Sequence, residues 1–503
     1  MRYGFVIDQD RCIGCHACTV ACKEEHQVPI GVFRTWVKYI EKGEFPHTSR
    51  HFGVLRCNHC DSAPCVTICP TNALYRRSDG IIDFDNERCI GCKSCMQACP
   101  YDALYIDPNT NTAAKCNFCA HRVEASLEPA CVIVCPTQAI ISGDLDDPAS
   151  KASRVVATQK VSVRKPEKGT QPKLYYVGIE GDLLQPARLS RQNAYAFAQR
   201  QDQRTTVQAF DPSVSREVYD VAHPAPWGWK IAAYLWTKSI AAGVMLVAAL
   251  LNGRAAGPIS TIVSPLIALA ALGLTALLLI FDLKRPDRFY YLLTKPNFRS
   301  WLVIGAYILM VFGALCSAWL VCGILIGEVP GGLVVATAVL AAASACYSAF
   351  LFAQAKGRDL WGSPLCFWHL LVQAFTAGSA IWLLESLFLR SSRVFPSLFL
   401  LMLFLALSLC MILIELARPH SSEDVRLAIR HMLRGHLAAR FWGLAIGAGL
   451  LLPILLLCSI SAFPSLFMPM GMWVPAAAAV LSLAGVWWYE DVWVNAGQSV
   501  PLS

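Results

Sequence analysis

CIGCHACTVAC, residues 12–22, decides the fold of the first part of this chain, because its four cysteines follow the spacing C-x2-C-x2-C-x3-C. Three closely spaced thiolates wrap a loop around one iron–sulfur cube, and the fourth cysteine ligates the other cluster of a pair. Sixteen of the 22 cysteines fall into four groups of four; the third group repeats this spacing, the second has four residues between its second and third cysteines, and the fourth has eleven. The groups are Cys12, Cys15, Cys18 and Cys22; Cys57, Cys60, Cys65 and Cys69; Cys89, Cys92, Cys95 and Cys99; and Cys116, Cys119, Cys131 and Cys135.

Zinc is the competing metal, since thiolates bind it as readily as iron–sulfur clusters. A zinc ribbon needs only two C-x2-C pairs and does not run C-x2-C-x2-C-x3-C-P. Proline follows the last cysteine of three groups, at Pro70, Pro100 and Pro136, where it ends the local turn. Sixteen ligands therefore predict four [4Fe–4S] clusters, and with no cysteine missing we expect no three-iron cluster.

Composition divides the 503 residues into a polar, cysteine-rich part up to about residue 225 and a part built of apolar runs. The net charge of +8 lies in Lys and Arg residues that crowd between those runs, so we expect them to set membrane topology and expect no nucleic-acid partner. The opening MRYGFVIDQDRCIGC has no signal-peptide core. Cysteines in a reducing compartment indicate metal or redox chemistry rather than disulfides.

The order of the cysteine groups resembles the four-cluster subunit of the dimethyl sulfoxide, polysulfide and nitrate reductase families. The stretches SGDLDDPASKASRV and GTQPKLYYVG extend this resemblance over roughly residues 1–180. It implies that the first group pairs with the fourth and the second with the third. Carried over, Cys12, Cys15 and Cys18 join Cys135; Cys116, Cys119 and Cys131 join Cys22; Cys57, Cys60 and Cys65 join Cys99; and Cys89, Cys92 and Cys95 join Cys69. Pairing of adjacent groups is the alternative, and the sequence alone does not exclude it.

Eight apolar runs follow, and each approaches or exceeds the ~20 residues needed to cross a bilayer. They lie at about 229–251, 259–281, 301–326, 332–354, 365–389, 396–417, 441–462 and 472–489. The predicted fold class is an α+β ferredoxin-like tandem [4Fe–4S] domain followed by an all-α bundle of eight transmembrane helices. The predicted boundaries are a cluster domain at 1–181, a linker at 182–226, a transmembrane domain at 227–492 and a tail at 493–503.

Basic residues lie mainly before the first run and after the second, fourth and sixth. Under the positive-inside rule, this pattern predicts a multi-pass protein of the bacterial inner membrane, with lipid around its helices and both termini in the cytoplasm. We therefore expect the cluster domain to face the cytoplasm.

FDLKRPDRFYYLLTKPNFRSWLVIGAY, residues 281–307, is similar to the signature of the NrfD and polysulfide reductase membrane-subunit family. The resemblance spans roughly residues 230–490 and implies electron exchange with menaquinone or ubiquinone. No haem is expected, because His369 alone among the 11 histidines lies well inside an apolar run and cannot form a bis-histidine pair.

Polar side chains inside lipid are expensive and are candidates for function. Those in or at the ends of the apolar runs are Lys238, Asp282, His369, Gln373, Glu385 and Glu415. A quinone pocket needs hydrogen-bond donors and a proton route, which Lys, His and carboxylates supply. Each could instead make a structural bond between helices. We prefer that interpretation for Asp282, near a helix end, and the quinone interpretation for Lys238 and His369.

The sequence thus predicts a natural fusion of an electron-transfer subunit and a quinone-binding membrane anchor. Because no site for a small redox substrate is visible, we expect a molybdopterin catalytic subunit as partner. Two alternatives remain open: a redox-coupled proton pump, and a passive anchor without a quinone site. The direction of electron flow does not follow from the sequence.

Overall fold

A computed structural model gives the fold and describes residues 1–44, 46–191, 215–251, 257–391, 393–418, 422–462 and 472–503. The chain divides into two compact units. The first comprises Met1–Pro224 with Pro501–Ser503, and the second comprises Ala225–Val500. Of the linker predicted at 182–226, residues 192–214 lie outside the described residues.

Two four-stranded sheets and two hairpins form the frame of the first unit. Its strands are β1 (Tyr3–Asp8), β2 (Thr35–Glu44), β3 (His47–Arg56), β4 (Leu74–Arg76), β5 (Ile82–Phe84), β6 (Leu104–Ile106), β7 (Ala113–Lys115), β8 (Ile140–Asp144), β9 (Val161–Ser162), β10 (Leu174–Val177), β11 (Ser190–Arg191) and β12 (Arg216–Tyr219). The sheets have the orders β8-β1-β10-β9 and β11-β12-β2-β3, and the hairpins are β4-β5 and β6-β7. Phe5, Val6 and Ile7 of β1 are buried, as expected of an apolar central strand.

Short helices lie between the strands of the first unit, and the first five of them carry or adjoin cysteines of the four groups. They are α1 (Ala17–Glu25), α2 (Pro64–Ile68), α3 (Ser94–Ala98), α4 (Ala120–Glu124), α5 (Ala130–Ile133), α6 (Lys151–Thr158) and α7 (Gly181–Leu184). In the repeated CIGC motif, Gly14 and Gly91 have φ angles of 69° and 68°, which glycine adopts without strain. A Cβ atom at Gly14 would also collide with the ring of Phe52. These tight turns fold the first three cysteines of each motif around one cavity.

Strand pairing brings distant cysteine groups together. Strand β1 leads into the first group and β8 leaves the fourth, and the two strands pair antiparallel with Ile7 opposite Ile140. Helices α1 and α5, which carry cysteines of the same two groups, also pack together. Helices α2 and α3 pack in the same way and join the second group to the third.

In the part of the second unit that the structure describes, the regular elements are helices. They are α8 (Trp229–Leu251), α9 (Ser264–Asp282), α10 (Tyr291–Thr294), α11 (Trp301–Leu325), α12 (Gly331–Gln354), α13 (Cys366–Phe388), α14 (Val394–Ala417), α15 (Glu423–Arg434), α16 (Leu452–Ala462) and α17 (Trp473–Gln498), and π-helical segments at Ile259–Val263 and Arg440–Leu451 lead into α9 and α16. Helices α8 and α13 are central: 78% and 72% of the residues in their most apolar stretches are buried. In the other helices long enough to cross a bilayer, at most 44% are buried. Polar residues on these two helices therefore face protein rather than lipid.

The predicted count of eight membrane spans is corrected to seven, since seven of the described helices are long and apolar enough to cross a bilayer. The eighth predicted run lies in α17, where Glu490 and Asp491 lower the mean hydropathy. Trp227 and Gln498 exchange two hydrogen bonds, of 3.0 Å and 2.9 Å, so the end of α17 lies beside the start of α8.

Close backbone contact holds the central helices together. A Cβ atom at Gly243 of α8 would collide with the carbonyl oxygen of Ala374 on α13, and one at Gly378 would collide with the backbone of Gly243. Small residues at such crossings let membrane helices pack tightly where no hydrophobic effect drives their association. This contact fixes the register of the two helices that carry most of the predicted membrane residues.

Candidate metal centres and membrane cavity

Two cavities of the first unit are each lined by three cysteines of one sequence group and the last cysteine of another. The cavity called site 1 is lined by Cys12, Cys15, Cys18 and Cys135. The cavity called site 4 is lined by Cys69, Cys89, Cys92 and Cys95. Backbone N–H groups point at the sulfurs: that of Ala139 donates to Cys135 Sγ at 3.2 Å, and that of Gly91 to Cys89 Sγ at 3.4 Å.

The other eight grouped cysteines form two more sets of four. Site 2 consists of Cys22, Cys116, Cys119 and Cys131, and the last three interact electrostatically with the thiol of Cys22. Site 3 consists of Cys57, Cys60, Cys65 and Cys99, and Cys99 interacts with the thiols of Cys60 and Cys65. Sites 1 and 2 thus combine cysteines of the first and fourth groups, and sites 3 and 4 combine cysteines of the second and third groups.

The thiols of sites 1 and 4 surround a space in sets of four, the number that one cubane cluster needs. Sulfurs placed around a cavity fit a cube of several irons. Burial raises the pKa of Cys92 and of Cys99 to about 12, and thiols must lose their protons to ligate a metal. The donor sets therefore fit iron–sulfur clusters.

The four sites form a row in the order 1, 2, 3, 4, because one thiol of each site interacts with a thiol of the next. The linking pairs are Cys18 with Cys131, Cys116 with Cys57, and Cys65 with Cys95. All cysteines of sites 2 and 3 are buried, whereas Cys15 of site 1 is exposed and Cys92 of site 4 is partly exposed. The two ends of the row therefore reach the surface of the unit.

Two polar side chains bond to thiols of site 2. The ring Nε2 of His26 lies 3.1 Å from Cys119 Sγ, and burial lowers the pKa of His26 to about 4, which keeps this ring neutral. Nη1 of Arg56 donates to Cys131 Sγ at 3.0 Å. Sequence reasoning did not single out Arg56. An arginine that ends an apolar strand directly before Cys57 is the signal that could have found it.

The second unit contains a cavity at the end of the bundle where α8 begins and α17 ends. Three of the predicted membrane residues line it: His369 and Gln373, one turn apart on α13, and Glu415 near the end of α14. The ring of His369 stacks on that of Tyr489, with centroids 4.6 Å apart and planes 11° from parallel. Glu415 accepts a hydrogen bond of 3.0 Å from the hydroxyl of Ser363. An aromatic wall beside polar groups that converge from several helices is the usual form of a small-molecule site.

Sequence reasoning missed the contribution of α17 to this cavity. Tyr489, Glu490 and Trp493 line it from that helix. Oε1 of Glu490 accepts a 3.5 Å hydrogen bond from Ser239, and its buried Oε2 has no hydrogen-bond partner among the described residues. The signal was the acidic pair that follows Trp-Trp-Tyr at the end of the last apolar run.

The other predicted membrane residues lie outside the cavity lining. Lys238 is wholly buried and donates to Ser348 Oγ at 2.6 Å and to the Ala345 carbonyl at 3.0 Å, and Glu490 lies near enough to interact with its charge. Glu385 lies toward the opposite end of α13 and accepts a 3.1 Å bond from Ser264. Asp282, half-buried, ends α9. The structure thus brings together three of the six predicted membrane residues and separates the rest.

Comparison with protein-family models assigns both halves of the chain. Residues 3–24 match the 4Fe-4S binding domain, and residues 49–145 match the 4Fe-4S dicluster domain. Residues 217–501, more than half of the chain, match polysulphide reductase, NrfD.

Curated relatives match the first part of the chain. The B subunit of tetrathionate reductase from Salmonella typhimurium is 47% identical over 189 residues, which cover 37% of this chain and 76% of that protein. The B subunit of polysulfide reductase from Wolinella succinogenes is 42% identical over 179 residues, which cover 35% of this chain and 94% of that protein. Protein NrfC of Escherichia coli K12 is 46% identical over 180 residues, which cover 35% and 81% respectively.

Proposed function

Because the chain belongs to the polysulphide reductase NrfD family through residues 217–501, we propose that it is the electron-transfer and membrane-anchor subunit of a molybdopterin oxidoreductase complex. Its first part belongs with the iron–sulfur B subunits of tetrathionate and polysulfide reductases. Its apolar helices make it a multi-pass membrane protein. The observation that carries the proposal is the row of four cysteine sites on the same chain as a membrane cavity lined by His369, Gln373 and Glu415.

Each cysteine site holds one [4Fe–4S] cluster in this proposal, and such a cluster supplies reversible one-electron transfer when bound. The chain's own part is to fix the row and to insulate it. Burial of every thiol at sites 2 and 3 keeps water from the middle of the row. The exposed Cys15 leaves site 1 accessible to a redox partner. We assign the molybdopterin catalytic subunit as this partner, because the relatives carry the names of reductase B subunits.

The membrane cavity is the proposed quinone site, for menaquinone or ubiquinone. Bound quinone supplies two-electron chemistry coupled to two protons. Tyr489 and Trp493 offer aromatic faces to a quinone ring, and His369 and Gln373 can each donate a hydrogen bond to a carbonyl oxygen. Glu415 and Glu490 can hold or release a proton beside that ring. The loops after α12 and α14, which follow the helix ends nearest the cavity, are basic, and under the positive-inside rule this charge supports a cytoplasmic side for this end of the bundle.

Anaerobic purification with whatever copurifies tests the assignment of partner and cofactors. Metal analysis should give about sixteen irons per chain for four cubane clusters, together with molybdenum in a larger copurifying subunit. Iron without any molybdenum-bearing subunit would remove the partner assignment and retain the clusters. A zinc content instead of iron would overturn the proposal.

Proton translocation is a second candidate function, favoured by a set of buried polar groups in the half of the bundle away from the cavity. Thr337 and Ser344 on α12 and Ser379 and Glu385 on α13 each present a buried oxygen without a hydrogen-bond partner among the residues described. Buried groups of this kind are ordinarily satisfied by internal water. Ser264, which donates to Glu385 at 3.1 Å, adds a further polar group to this half of the bundle.

Reconstitution in proteoliposomes distinguishes this candidate from quinone chemistry alone. If these buried polar groups conduct protons, Glu385→Gln should lower the number of protons moved per electron while the rate of quinol oxidation is retained. An unchanged proton-to-electron ratio in Glu385→Gln would remove the translocation function. Loss of quinol oxidation itself would show that Glu385 belongs to the quinone reaction.

A further inference from the structure

Arg56 is a buried cation at the junction of sites 1 and 2. It is the last residue of β3, its exposure is 0%, and its guanidinium lies 4.6 Å from the ring centroid of Phe5. Nη1 donates to Cys131 Sγ at 3.0 Å. Nε and Nη2 are buried and have no hydrogen-bond partner within the described part of the chain.

A guanidinium buried in this way is costly unless opposite charge lies close by. The groups that interact most strongly with the charge of Arg56 are cysteines of two sites: Cys131 and Cys116 of site 2, and Cys18 of site 1. Cys22 of site 2 is also within reach of this charge, as are the neutral rings of His59 and Tyr176. The counter-charge of Arg56 is therefore supplied by thiolates, which become negative when they ligate iron.

Arg56 should in turn stabilise negative charge on the clusters. An added electron increases the negative charge of a cluster, and a fixed cation close to its ligands in a low-dielectric interior stabilises that added charge. Hydrogen bonds to ligand sulfurs and nearby charges are recognised determinants of cluster potential. Since Arg56 donates to Cys131 of site 2 and interacts electrostatically with Cys18 of site 1, its effect should fall mainly on these two sites.

We propose that Arg56 is the shared counter-cation of sites 1 and 2, raising the reduction potentials of both clusters and so favouring residence of the electron at this end of the row. This inference rests on the proposed four-cluster function. It assigns Arg56 a tuning role and no direct part in electron transfer.

The test is an EPR-monitored redox titration of the purified full-length protein and its Arg56→Gln and Arg56→Lys variants, with iron analysis of each. In Arg56→Gln the equilibrium constant for reduction of two of the four clusters should fall at least tenfold, which is about 59 mV for a one-electron couple. Arg56→Lys keeps the charge and should recover most of this difference. Arg164→Gln is the matched control, because Arg164 is equally buried but donates to the Leu502 carbonyl at 2.9 Å.

Every outcome decides the proposal. Unchanged potentials in an iron-replete Arg56→Gln variant would overturn it, as would an equal shift in Arg164→Gln. If Arg56→Gln loses iron while Arg56→Lys retains it, the positive charge is required and the proposal stands. If both variants lose iron, the role of Arg56 is one of shape, and the proposal fails. A wild-type protein without four clusters would instead overturn the proposed function itself.

Discussion

The imidazole of His369 lies face to face with the phenol of Tyr489, with ring centroids 4.6 Å apart at the edge of the membrane cavity. The two residues come from α13 and α17, so the contact joins helices that are distant in sequence. It also holds the imidazole in one orientation beside Gln373 and Glu415. A donor fixed in this way is what recognition of a quinone carbonyl requires.

Replacement of His369 by Ala should slow the reduction of the clusters by a quinol analogue at least tenfold, because a hydrogen-bond donor and proton acceptor is lost at the cavity. The measurement is stopped-flow absorbance of the purified protein under anaerobic conditions. His436→Ala, at an exposed position outside the cavity lining, is the control and should react at the wild-type rate. Equal rates in His369→Ala and wild type would remove the quinone site and leave the passive anchor.

If the first cysteine group shares its clusters with the fourth, the iron content of double cysteine variants should show it. Cys12→Ser and Cys135→Ser should each cost about four irons per chain, and the double variant should cost no more, because both residues serve one cluster. Cys12→Ser combined with Cys69→Ser should cost about eight irons, because these residues serve different clusters. Iron analysis of the purified variants gives the answer. If the Cys12/Cys69 double variant loses only about four irons and the Cys12/Cys135 double variant loses about eight, adjacent groups are paired.

The close packing of α8 on α13 should make the stability of the membrane unit sensitive to replacement of Gly243. Gly243→Ala should destabilise the membrane unit by about 1–3 kcal/mol, because the added methyl group overpacks a backbone contact. Gly273→Ala is the matched control, since a Cβ at Gly273 meets nothing within 4 Å, and it should be neutral or slightly stabilising. Thermal unfolding in detergent measures both. Equal midpoints for the two variants would contradict the close contact.

His223 should make the stability of the first unit depend on pH. Burial lowers the pKa of His223, but its ion pairs with Asp102 (2.9 Å) and Asp220 outweigh this effect and raise the pKa to about 9. The raised pKa contributes stability that is fully present below about pH 6.5 and is lost as the pH rises through 9. With the His223 side chain 24% exposed, the contribution is on the order of 2 kcal/mol.

Thermal unfolding of wild type and His223→Gln between pH 6 and 10 tests this linkage. The stability difference between the two proteins should be largest at the acidic end and should shrink toward pH 10. His47→Gln, at an exposed position on β3, should follow the wild-type curve. A pH-independent difference for His223→Gln would show that the ion pairs with Asp102 and Asp220 do not control the titration.

Local features of this chain were predictable from its sequence, because short-range spacing encodes them. The cysteine loops, the Pro that ends three of them and the short strands all follow from residues close together in the chain. The sequence left open whether Cys12 and Cys135 belong to the same site. Their proximity depends on the antiparallel pairing of β1 with β8, which are more than a hundred residues apart in the chain. No local pattern records such a pairing.

The membrane site was only partly predictable for a related reason. His369 and Gln373 lie one turn apart, so their shared face follows from helix geometry. Tyr489 and Glu490 join them only through packing of α17, whose acidic end falls outside the predicted apolar run. Lys238, which was predicted to act at the quinone, lies outside the cavity lining and donates to Ser348, since a buried ammonium needs oxygen partners.

The central claim is that one chain connects a row of four clusters to the quinone pool, and quinol-reduced EPR of the full-length protein tests it most directly. Anaerobic protein mixed with a quinol analogue should show reduced cluster signals and about sixteen irons per chain, the number for four cubane clusters. The same iron content, with clusters that dithionite reduces and quinol does not, would contradict the connection.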